Sequence, residues 1–170
     1  MLEIGMNNVT RKGGMPPIEV KGNAKKYAAY REAWARIKQA QENEFFLEAI
    51  TIQESIISDR LDSFLSRPDA KDNYKDKKKE GKFISFAQMI KYWRDELSAP
   101  LRSGDYVDLV DAVDEWRTSR NKAIHAIVKF GDGSGNKTID NFLREAKEVA
   151  KSGEKLAREV CKWQRRKENR

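Results

Sequence analysis

The sequence predicts an all-α protein, a bundle of four to five helices. Three observations carry this expectation. Apolar side chains recur at three- and four-residue steps along most of the chain. No segment alternates apolar and polar residues as a half-buried strand does. Clusters of Gly, Pro and Ser divide the periodic runs into helix-length pieces.

Residues 1–22 hold Gly5, Gly13, Gly14, Pro16, Pro17 and Gly22, and are expected to form a flexible N-terminal arm. Residues 23–170 are expected to form one helical domain, long enough to bury a real core. The run Ala24 to Gln41 places Tyr27, Tyr30, Trp34 and Ile37 on one face. Glu44 to Leu65 is more strongly patterned, with Phe46, Ile50, Ile57, Leu61 and Phe64 in one stripe that stops at Arg67-Pro68. Residues 67–82 are a polar insert, with six lysines and three acids between Lys71 and Lys82. A solvated loop is its simplest form, and an electrostatic funnel for RNA is the functional alternative. Ser85 is placed to cap a short helix to about Leu97, with Phe86, Ile90 and Trp93 inward. Ala99-Pro100 and Ser103-Gly104 make a connector. Asp105 is expected to open a long helix to about Phe130, before the turn-rich Gly131 to Gly135. Thr138 is expected to cap a last helix bearing Ile139, Phe142, Leu143, Ala146, Val149, Leu156, Val160 and Trp163, with Gly153 weakening its middle.

The bulk properties narrow the function classes. The net charge is +7 and the isoelectric point about 9.4, which favours a polyanionic partner. No run of 18 apolar residues exists, so no membrane span is expected. Met1 to Pro17 lacks an apolar signal-peptide core, and Cys161 is the only cysteine; both fit a cytoplasmic protein. One His and one Cys cannot furnish a structural zinc site, and no cofactor or metal is expected.

The chemistry concentrates in Arg117-Thr-Ser-Arg120-Asn121-Lys-Ala-Ile-His125. His125 is the only histidine, hence the only side chain whose ordinary pKa lies near neutrality. Arg120 falls inside the apolar stripe formed by Tyr106, Leu109, Val113, Trp116, Ile124 and Ile127. A charge there must face a carboxylate, a cleft or another subunit, because burying it alone costs several kcal/mol. Arg117, Asn121 and His125 step by four along the stripe's edge, so Asn121 is expected to reach His125, and Arg117 to reach Asn121. Glu54, at the edge of its own helix's stripe, is a candidate to pair with Arg120 or orient it, or else a surface-edge glutamate. Arg117 is either a phosphate contact or, more simply, a partner of Asp114, and Asp59 and Arg60 are expected to be solvated or paired on the surface. The basic end Trp163-Gln-Arg-Arg-Lys167 is expected to be a helix end rather than a base-stacking platform.

Arg120-Asn121-Lys-Ala-Ile-His125 resembles the R-x4-H motif of the HEPN superfamily, where the arginine is commonly followed by Asn, Asp or His. The segment from Phe45 to Leu61 resembles the early helix of stand-alone bacterial members, and the likeness spans about Asn23 to Lys162. The resemblance implies a HEPN-like bundle and a metal-independent endoribonuclease of toxin or antiphage-defence type. The RNA 2′-hydroxyl would attack its own 3′ phosphate, leaving a 2′,3′-cyclic phosphate. It implies acid–base work for His125, charge stabilisation by Arg120, and orientation by Asn121. It also implies RNA as partner, a homodimer that pairs two motifs, and an antitoxin or other defence-system partner. One departure is specific: members paired with a nucleotidyltransferase antitoxin commonly carry tyrosine two residues after the histidine, and here that residue is Ile127. Two other functions remain open on the sequence: a non-catalytic HEPN-like RNA-binding or adaptor protein, and a helical-bundle regulatory or interaction protein.

Overall fold

A computed structural model of the chain describes residues 24–126 and 139–168. These residues form six helices and no strand: α1 (Ala24–Glu42), α2 (Phe46–Leu65), α3 (Asp72–Lys79), α4 (Phe86–Asp95), α5 (Leu109–Ala126) and α6 (Ile139–Glu168). The expected arm, the turn at Gly131 to Gly135, the Thr138 cap, Ile127 and the end near Phe130 lie outside the described residues.

The longest helix, α6, packs against both α2 and α5; α1 lies on α2, and α4 bridges α2 and α5. The stripe read in α2 is the centre of the core: Phe46, Ile50, Ile57, Leu61 and Phe64 are all buried. They meet Leu156, Val160 and Trp163 of α6, with Leu109, Val113 and Trp116 of α5 completing the interior. No helix among the described residues is long and apolar enough to cross a membrane.

The end of α1 and the start of α4 have identifiable causes. After α1 the chain turns through Glu44, whose φ of 61° is left-handed. The Phe45 N–H then reaches the Ala40 carbonyl at 2.7 Å and the Glu44 N–H the Gln41 carbonyl at 3.3 Å, the paired bonds of a Schellman stop. Ser85 caps α4 as expected, in a reciprocal box with Gln88 at 3.3 and 3.1 Å.

Three sequence expectations are corrected. The long α5 opens at Leu109, not at Asp105, because the Asp108 carboxylate accepts from the Val110 N–H at 3.0 Å while Ser103 and Tyr106 close a turn upstream. The 67–82 insert is not wholly a loop. It contains α3, held by Tyr74, which is buried and donates to Asp62 at 2.6 Å. Gly153 does not interrupt α6; it is buried at a helix junction where no larger residue fits.

Candidate functional site

That junction positions the candidate site. On α5, the Trp116 indole N–H donates to the Val149 carbonyl of α6 at 2.9 Å. On α2, the Gln53 amide donates to the next α6 carbonyl, Ala150, at 2.8 Å. A Cβ on residue 153 would sit 2.7 Å from the Trp116 ring and would overlap the Gln53 amide oxygen. Only glycine lets both side chains reach the α6 backbone at once. Gln53 is followed by Glu54, and Trp116 lies one turn before Arg120, so fixing the first pair aligns the second across the α2–α5 contact.

Glu54 and Arg120 form an ion pair, with side chains 18% and 25% exposed. Arg120 also donates from Nη1 to the Asn121 side-chain oxygen at 2.6 Å. The buried Nε–H of Arg120 has no acceptor among the described residues. Burial raises the Glu54 carboxyl above its ordinary pKa, and the charge and hydrogen bond of Arg120 offset this only in part. The sequence reading of a charge inside the apolar stripe, facing a carboxylate, therefore holds as geometry.

His125 stands apart. It is exposed and makes no side-chain hydrogen bond to the described residues. Five residues along an α-helix turn it about 140° from Arg120. One chain thus gathers Arg120, Asn121 and Glu54 but not His125. The expected ladder from Arg117 through Asn121 to His125 is absent, and two stronger contacts replace it. The Asn121 oxygen turns back to the guanidinium of Arg120, and Arg117 pairs with Asp114 at 2.7 Å. The 430 Å³ groove between α5 and α6, with Ser119, Lys122, Ala123 and Arg144 in its wall, opens on another face of α5.

Asp59 and Arg60 are paired, one of the two expected forms, and partly exposed. Asp59 accepts from the Tyr30 hydroxyl and pairs with Lys26 at 3.0 Å. Arg60 lies 4.2 Å over the Tyr30 ring and donates to Gln164 at 3.0 Å. In the insert, Lys75 pairs with Asp72, Lys78 with Asp62, Lys79 with Asp76 and Lys82 with Glu80. Its outward field is accordingly weaker than its lysine count suggests. Among the described residues no three His, Cys, Asp or Glu side chains are grouped to hold a metal ion.

Sequence reasoning passed over Glu159, a buried acid on the core side of α6. The signal was the one that exposed Arg120: a charge three residues after Leu156 and immediately before Val160, both apolar core positions. No family model, curated protein or solved structure matches this chain.

Proposed function

We propose that this protein is a metal-independent endoribonuclease of the HEPN type, a toxin or defence effector that works as a homodimer. The observation that supports this most is Arg120. It is a guanidinium inside an apolar stripe, 25% exposed and oriented by Glu54 and Asn121. Such a group suits the charge that builds on phosphorus when a 2′-oxygen attacks. In the reaction the 2′-O–P bond forms and the P–O5′ bond breaks. One imidazole takes the 2′-hydroxyl proton, and a second, protonated one supplies the proton to the departing 5′-oxygen. Each chain owns one histidine, so the two roles call for two chains. An exposed His125 is free to be shared across such an interface.

A second reading is favoured by one contact. Glu54 already neutralises Arg120 within the chain, as it would in a non-catalytic RNA-binding or adaptor bundle. Cleavage of RNA in excess EDTA separates the two. Because His125 is exposed, His125→Ala should shift stability by no more than about 0.5 kcal/mol, so lost activity would not be lost folding. The nuclease reading expects wild-type cleavage with 2′,3′-cyclic phosphate ends and none from His125→Ala. Equal cleavage by both proteins, or none by the wild-type dimer, overturns it.

A further inference from the structure

We propose that the C-terminal end of α6 and the turn before α5 form a pocket for a terminal phosphate group, separate from the Arg120 site and independent of whether that site cleaves RNA. The pocket begins with local backbone geometry. Ser103 and Tyr106 exchange two backbone hydrogen bonds, at 3.1 and 3.0 Å, which folds residues 103–106 into a tight turn. Gly104 sits there at a φ of 56°, and a Cβ on it would lie 2.9 Å from the Glu159 carboxylate. The turn therefore presses its backbone directly onto α6, closer than a residue with a Cβ allows.

Glu159 is the lock between the two elements. It is 7% exposed, and accepts from the Ser103 hydroxyl at 2.7 Å and from Arg166 at 3.0 Å. Arg166 also donates to the Ser103 oxygen at 2.5 Å. One acid thus fixes one guanidinium and the turn together. Burial opposes its charged form, but the Ser103 and Arg166 hydrogen bonds and the nearby Lys162 charge outweigh burial, and its carboxyl stays below its ordinary pKa.

A cavity of about 330 Å³ opens beside this lock, lined by Leu101, Arg102, Trp163, Arg166 and Lys167. Arg102 and Lys167 flank the fixed Arg166, and neither forms an ion pair or side-chain hydrogen bond among the described residues. This sets them apart from the insert lysines that have carboxylate partners. Three basic side chains line one cavity, and of them Arg166 is paired with Glu159. Trp163 lines the cavity with part of its side chain, and its indole N–H is buried without an acceptor among the described residues. A planar guanidinium held in place by a second residue suits the oxygens of a phosphate, and flanking point charges complete its neutralisation.

The ligand's chemistry follows from what Trp163 does not offer. Its ring is 3% exposed and packed against Phe64 and Trp93, with centroids 4.7 and 5.0 Å away. No face is left for a base to stack on. Recognition falls on a terminal phosphate without base preference, carried either by a free nucleotide or by an RNA end.

Calorimetry at low salt tests this with four probes: inorganic phosphate, 5′-AMP, and a short single-stranded RNA with either a 5′-phosphate or a 5′-hydroxyl. The variants are Arg102→Ala/Lys167→Ala, whose side chains are exposed and unpaired, and His125→Ala. Binding of 5′-AMP or 5′-phosphorylated RNA should weaken about tenfold or more in the double variant, the loss of two charge-assisted contacts. His125→Ala should bind as wild type does, so a failure of the nuclease reading leaves this result untouched. Preference for phosphorylated over hydroxyl-ended RNA, with weak 5′-AMP binding, assigns the RNA end as the source; tight 5′-AMP binding without that preference assigns a free nucleotide. The proposal is overturned if no phosphate probe binds, or if the double variant, shown folded by its melting curve, binds them all as well as wild type.

Discussion

Replacing Arg120 or Glu54 alone should cost far more than replacing both. Each side chain is mostly withdrawn from water, with exposures of 25% and 18%. Two unit charges about 4 Å apart at an effective dielectric near 20 attract by roughly 4 kcal/mol, before desolvation is charged against them. Burial dominates at Glu54, whose carboxyl lies above its ordinary pKa, so most of that attraction is spent on desolvation. Arg120→Leu leaves Glu54 half-buried opposite a methyl group, and Glu54→Leu leaves the guanidinium likewise. Each single change should destabilise by about 2–3 kcal/mol, a drop in Tm of roughly 4–12 °C for a chain of this size. The double Leu variant restores an apolar contact across α2 and α5, and should recover about 1–3 kcal/mol of the summed loss. Urea unfolding followed by far-ultraviolet circular dichroism measures all four proteins. Single variants with wild-type stability and additive effects would refute the reasoning, because the pair would then be solvated and Arg120 no exception in an apolar stripe. The cycle also serves function: the double variant removes the guanidinium while keeping the fold, which makes it the clean negative control for RNA cleavage.

Three further outcomes are expected. Gly153→Ala should lower stability by about 2–4 kcal/mol in urea unfolding. Overpacking costs about 1–3 kcal/mol and two strained buried hydrogen bonds about 2 more, against a helix-propensity gain near 1. A stabilised variant would show that α2, α5 and α6 are not locked there. Glu44→Gly should raise stability by about 0.5–1 kcal/mol, since glycine adopts the left-handed stop of α1 without strain; an unchanged or lower urea midpoint contradicts this. The folded pKa of Glu159 lies below its unfolded value, so its stabilisation is complete above the ordinary carboxylate range and disappears as pH falls through the folded value. The stability gap between wild type and Glu159→Gln should therefore be open at pH 6 and narrow below about pH 4, the ordinary glutamate value being near 4.3; a gap that does not change with pH would refute it.

The parts of the fold legible in the sequence were those governed by helical periodicity and caps. The α2 stripe and the Ser85 cap depend on residues at fixed local spacing, and they lie where the pattern put them. Arg120 was legible for the same reason, because a charge breaks a local pattern, and Glu54 stood out at the facing helix's edge. Choices between equivalent local signals were not legible. Asp105 and Asp108 are both good caps, and the turn that withdraws the first depends on Gly104 lying against a residue 55 positions later, Glu159. Gly153 looked like a weakness because helix propensity is local, whereas its reason is the arrival of Gln53 and Trp116 from two other helices. The contact from Asn121 to His125 was allowed by spacing, but spacing does not rank competitors, and the guanidinium one residue away was the better partner.

The short helix α3 has a consequence for how the protein ages in a cell extract. Eight residues do not sustain a helix in water alone. Within α3 only Tyr74 is buried, its ring edge-on to Tyr92 at 5.7 Å and its hydroxyl on Asp62. Burying one such ring and making one bond to a charged acceptor is worth about 3 kcal/mol. The segment should then detach in roughly one molecule in a few hundred while the bundle stays folded. Detachment frees four α3 lysines, Lys75, Lys77, Lys78 and Lys79, for a protease that cuts after basic residues. The lifetime of the intact chain is then set by how firmly Tyr74, with the Lys75 and Lys78 contacts, holds this segment, and not by the stability of the core it leans on.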